Sequence, residues 1–76
     1  MKMSFEDQVY DAIMNCLVQE TRTKLFHEIA NFYSGTLFVK CDENTARSIF
    51  NRLIDRFGLE TVRINKCGEE YAYDFV

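Results

Sequence analysis

Three cysteines (Cys16, Cys41, Cys67), a single histidine (His27) and the adjacent acid pairs Glu6-Asp7, Asp42-Glu43 and Glu69-Glu70 are the side chains whose types could carry chemistry. The cysteines and histidine match a zinc site by ligand type, yet no two of them form the C-x2-4-C or H-x3-5-H knuckle that brings two ligands to one ion. On a continuous helix Cys16 and His27 stand about 16 Å apart, too far to share a metal. A Cys67-His27 nucleophilic dyad would need a cleft and oxyanion donors, whereas the helical neighbours of His27 are Lys24, Glu28 and Asn31, a polar face without a nucleophile. Adjacent acids at helix starts and turns complement a dipole or face solvent. No glycine-rich phosphate loop, H-E-x-x-H or G-x-S-x-G occurs. The sequence therefore predicts no catalytic, metal or cofactor site. Cys16 and Cys41 fall in apolar phase and read as small core hydrophobes. Cys67, in an expected turn beside Lys66, is the candidate reactive thiol.

The 76 residues carry 9 Lys+Arg against 12 Asp+Glu, a net charge of -3, and 47% are apolar. This composition predicts one small globular domain over 1–76 and excludes both a disordered chain and a transmembrane span. An odd number of widely spaced cysteines does not suit a disulfide-stapled secreted domain. Acids at 6, 7 and 11 interrupt any signal-peptide core, so a cytoplasmic location is expected. A chain of this length buries only about 60–65% of its unfolded surface, and a partner chain is one way to supplement so small a core.

The glycines Gly35, Gly58 and Gly68 punctuate the elements. Ser4-Phe5-Glu6-Asp7 has the Ser-x-x-Asp form of a helix start. From there Phe5, Val9, Ala12, Ile13, Cys16 and Leu17 share one broad side, which Tyr10, Met14 and Val18 widen. A second helical stripe, Leu25, Phe26, Ile29, Ala30, Phe32 and Tyr33, points the opposite way, so the reading is one long helix or two consecutive helices breaking near 19–23, with Ser34-Gly35 as the stop. Residues 36–41 read as a strand. Asp42 caps a helix whose Ala46, Ile49, Phe50, Leu53, Ile54 and Phe57 follow i, i+3, i+4, i+7, and Gly58-Leu59 suggests a Schellman ending. Residues 61–65 and 70–76 read as a hairpin, joined by a turn at Asn65-Lys66-Cys67-Gly68 with Gly68 in a left-handed bulge position. The expected fold is a two-layer α+β domain: N-terminal helices, then β-α-β-β with a three-stranded mixed or antiparallel sheet.

So small a sheet cannot shelter both apolar helical surfaces, which points to a non-enzymatic interaction or regulatory module, forming a homodimer or docking on a protein partner. Phe5, Val9, Ile13, Leu17, Phe26 and Tyr33 are the expected contact residues, some of them shared with the intrachain core. The alternative is nucleic-acid binding by Arg47, Arg52, Arg56, Arg63 and Lys66, with Tyr71, Tyr73 and Phe75 as a stacking row. Overall acidity and the division of the arginines between the two edges of an apolar stripe disfavour it. Arg52 and Arg56, like charges at i,i+4, call for a neutralising acid from Asp55, Glu69, Glu70 or a partner.

Overall fold

Two side chains set where the helices begin. In the computed structural model, which describes residues 3–14 and 30–76, the Ser4 hydroxyl accepts from the Asp7 N–H at 3.1 Å and starts helix α1 (Phe5–Ile13). The Asp42 carboxylate accepts from the Thr45 N–H at 2.8 Å and starts α2 (Glu43–Phe57). Each cap satisfies an N–H that has no partner within its helix.

Four strands form one antiparallel sheet: β1 (Ala30–Tyr33), β2 (Thr36–Lys40), β3 (Val62–Cys67) and β4 (Glu70–Phe75), in the order β1-β2-β4-β3. The last strand lies between β2 and β3, which are therefore parallel to each other, with α2 as their connection. Alternation sends Leu37, Val39, Val62, Tyr71 and Tyr73 to the helix-covered face, where they meet Val9 and Ile13 of α1 and Ala46, Ile49 and Leu53 of α2. This is the core. At one end of it the rings of Phe5, Phe32, Phe57 and Phe75 gather with neighbouring centroids 5.1–6.2 Å apart.

The fold is α+β with its described helices on one face, but the sheet has a fourth strand where the sequence suggested helix. Ala30, Phe32 and Tyr33 belong to β1, and Ser34-Gly35 is a two-residue hairpin loop, not a helix stop. Ser34 at φ 53° and Gly35 at φ 82° fit a type I′ turn, whose twist matches the flanking strands. A stretch of only four residues satisfies helical and strand periodicity alike, and pairing with β2 decides between them. The expected break near 19–23 lies outside the described residues.

Two turns also differ. β3 continues to Cys67, and the loop is Gly68-Glu69, with positive φ only at its glycine, as in a type II′ turn. Gly58 accepts the end of α2 at φ 101°, ψ 145°, outside the left-handed helical region, and Leu59 points outward at 68% exposure without folding back. The cap survives as a Gly58 N–H donating to the Ile54 carbonyl at 2.8 Å.

Candidate protein-docking surface

α2 has two flanks, and each borders a cleft. On the flank facing α1, a polar cleft of about 250 Å³ is lined by Asp11, Ala12, Arg52 and Arg56. The Asp11 carboxylate accepts from Arg56 at 3.0 Å, so the acid that offsets the arginine pair comes from α1 of the same chain and not from Asp55, Glu69 or Glu70. Both partners are about half exposed, which makes this a modest link between helices.

On the other flank, an apolar groove of about 270 Å³ lies between α2 and the β3–β4 hairpin. Its walls are Ala46 and Phe50 from the helix and Ile64 and Tyr71 from the sheet, with Glu43 and Arg47 at the rim. The helical i,i+4 spacing of Ala46 and Phe50 places them over Ile64 and Tyr71, which alternate onto the covered face of neighbouring strands. Arg47 and Glu43 pair across 3.8 Å while both remain over 70% exposed, so neither charge is locked. The Lys66 ammonium sits 5.9 Å from the centroid of the Tyr71 ring, a cation-π contact at the end of the groove.

This groove opens beside a sheet edge. Among the described residues β3 pairs only with β4. The Val76 N–H donates to the Thr61 carbonyl at 2.8 Å, and the alternation of an antiparallel ladder then directs the N–H and C=O groups of 63, 65 and 67 toward β4. Those of Val62, Ile64 and Lys66 face outward.

The residues expected to form a contact scatter. Val9 and Ile13 are fully buried and serve the intrachain core. Phe5 stays 42% exposed but packs on Phe32, Phe57 and Phe75, and Tyr33 is 71% exposed at the turn end of β1. Leu17 and Phe26 lie outside the described residues. The basic residues scatter too. Arg47 and Lys66 border the groove, Arg52 and Arg56 line the opposite flank of α2, and Arg63 projects from the other sheet face, across from Asp74. Of the aromatic row, Tyr73 is fully buried and Tyr71 nearly so, which makes them core and groove wall, not a stacking platform. Phe50 and Ile64 were legible only as core-phase residues, because periodicity reports a face and not whether a neighbouring element covers all of it.

Cys16 and His27 lie outside the described residues. Burial, with a smaller contribution from the Asp42 charge, pushes the half-buried Cys41 up to about 11, so it remains a protonated thiol. Cys67 is exposed as the last residue of β3, and strand alternation sends the neighbouring Lys66 side chain to the opposite face. Among the described residues no cluster of His, Cys, Asp or Glu could hold a metal ion, and no helix is long and apolar enough to cross a membrane. No family model matches this chain, and comparison with curated proteins and with solved structures finds no match.

Proposed function

We propose that this chain is a small non-enzymatic protein-interaction module. The observation that supports this reading is the conjunction of an apolar groove, walled by Phe50, Ile64 and Tyr71, with a strand edge whose backbone groups face outward. Apolar walls supply affinity by burying area, and directed N–H and C=O groups supply register, which together suit a polypeptide ligand. Self-association through α1 is the narrower form of the reading. With Val9 and Ile13 committed to the core, its described apolar contributors are Met3, Phe5 and Met14, each 39–44% exposed. The division of five basic residues among three surfaces gives no continuous track for a phosphate backbone, and nucleic-acid binding is the less favoured alternative.

Selection from a displayed random-peptide library tests the module reading. Wild type should enrich peptides that a Phe50→Glu variant, shown to be folded by its circular dichroism, does not retain. If selection converges on no peptide and light scattering gives a monomer at all concentrations, the reading fails. A dimer whose mass drops with Met14→Glu would instead place association on α1.

A further inference from the structure

We infer that the groove takes an extended acidic segment of a partner protein, which adds to β3 as a fifth strand. This rests on the module reading and names the chemistry of its ligand.

The edge dictates an extended ligand. Outward N–H and C=O groups at Val62, Ile64 and Lys66 repeat every second residue, the spacing that another strand satisfies and a helix does not. A strand laid there directs alternate side chains to the helix-covered face, where Ile64, Phe50 and Tyr71 offer apolar contact. The remaining side chains fall on the other face, beside Arg63 and Asn65.

Charge selects its composition. β3 reads Val-Arg-Ile-Asn-Lys-Cys, with two cations and no carboxylate, while Arg47 at the groove rim is matched by Glu43. Asp74 lies across from Arg63 in the sheet and keeps its charge, though its oxygens are drawn to other donors. It accepts from the Thr36 hydroxyl at 2.7 Å and from the Asn65 amide at 3.4 Å. In a chain whose net charge is -3, strand β3 itself is basic. Opposite charges across neighbouring strands stabilise pairing and like charges oppose it. The fitting ligand therefore alternates apolar residues toward the groove with Glu or Asp toward Arg63.

A second copy of this chain fits less well. In the antiparallel register of greatest overlap, Ile64 faces Ile64 of the second copy and the two Arg63 side chains become diagonal neighbours, about 7–8 Å apart. Shifting the register by two residues sets Arg63 opposite Arg63 in one direction and brings Lys66 opposite Ile64 in the other. β3 itself contributes no acid to such a seam, so its cations meet like charges of the second copy or apolar residues. Basic residues on an edge strand resist self-pairing in this way while remaining open to an acidic strand.

The test uses the full chain, isotope-labelled for amide NMR, and three synthetic peptides: a seven-residue alternation of Val and Glu, its Val and Lys counterpart, and the Glu peptide with proline at its centre. The Glu peptide should shift the amides of Val62, Ile64 and Lys66 and slow their hydrogen exchange. It should bind at least about tenfold more tightly than the other two. Arg63→Glu combined with Lys66→Glu should reverse the preference between Glu and Lys peptides, and Arg63→Glu alone, which keeps Lys66 on Tyr71, should reduce it. All of these positions are exposed, so the variants should keep the wild-type spectrum elsewhere. Equal affinity for the Glu and Lys peptides, or binding without protection at those amides, overturns the inference. So does concentration-dependent protection of the same amides with no peptide present, which would identify a second copy as the occupant. A peptide selected by the library that maps away from β3 sinks this inference and leaves the module reading standing, whereas an empty selection from a chain that light scattering shows to be monomeric at all concentrations sinks the module reading itself.

Discussion

Tyr73 donates its hydroxyl hydrogen to the backbone carbonyl of Ala46 across 2.7 Å, joining central strand β4 to α2 where neither residue meets solvent. The bond fixes the height and rotation of α2 over the sheet, and with them the separation of Phe50 from Ile64 across the groove. Tyr73→Phe keeps the ring and removes this tie. The expected loss is about 1 kcal/mol, or roughly 4–8 °C in Tm for a domain of this size. Thermal and denaturant unfolding would measure it, and an unchanged midpoint would show that the bond contributes nothing net.

Val9 and Ile13 are fully buried, so a charge at either position meets the sheet before it could meet a partner. Ile13→Ala should cost about 2–5 kcal/mol, a large share of the roughly 4–11 kcal/mol available to a chain this long. Val9→Asp should abolish cooperative unfolding altogether. A Val9→Asp protein that stays folded with reduced oligomer mass would place Val9 in an interface after all.

Ser34 holds φ 53° in the β1–β2 turn, a region costly for most L-residues and better tolerated by Asn. Ser34→Asn should stabilise the protein by about 0.5–1 kcal/mol. Gly35→Ala should destabilise it by about 1 kcal/mol for conformational reasons alone, because an added Cβ meets nothing within 4 Å. Opposite shifts in Tm for the two variants are the diagnostic result, and a gain from both would refute the turn assignment.

Asp42 titrates below the usual aspartate range because its carboxylate is held by the Thr45 side chain and, next, by the Thr45 N–H. A depressed folded value contributes stability that is present above the unfolded value and is lost as pH falls through the folded one. Asp42→Ala should therefore lower Tm at pH 7, with the gap to wild type narrowing under acid. Asp42→Asn, which also caps helices well, should sit closer to wild type at pH 7 and lack that acid dependence. A gap for Asp42→Ala that does not narrow below pH 4 would remove the cap as its cause.

At pH 8 a thiol pushed up to about 11 is ionised in roughly one molecule in a thousand, so Cys41 should resist alkylation. The exposed Cys67 should take iodoacetamide first. Peptide mapping over time distinguishes them, and comparable rates at Cys41 and Cys67 would contradict the burial of Cys41.

The sequence by itself determined the locally encoded features: helix starts at Ser4 and Asp42, the apolar stripe of α2, and strands on either side of Gly68. Each is fixed by interactions within a few residues, namely a cap, a repeat or a turn, which one chain displays in order. The hairpin signal of Ser34-Gly35 between Ala-Asn-Phe-Tyr and Thr-Leu-Phe-Val is equally local. Its four-residue first strand also satisfied helical spacing, and only pairing with β2 resolved the ambiguity. Tertiary structure alone decided that β4 lies between β2 and β3, that Asp11 answers Arg56 from 45 residues away, and that Val9 and Ile13 face inward. It also decided that Phe50, Ile64 and Tyr71 share a groove beside an edge that is unpaired among the described residues. Strand order and edge position arise from contacts between distant segments, and an apolar residue carries the same pattern whether its neighbours cover it wholly or leave one side open.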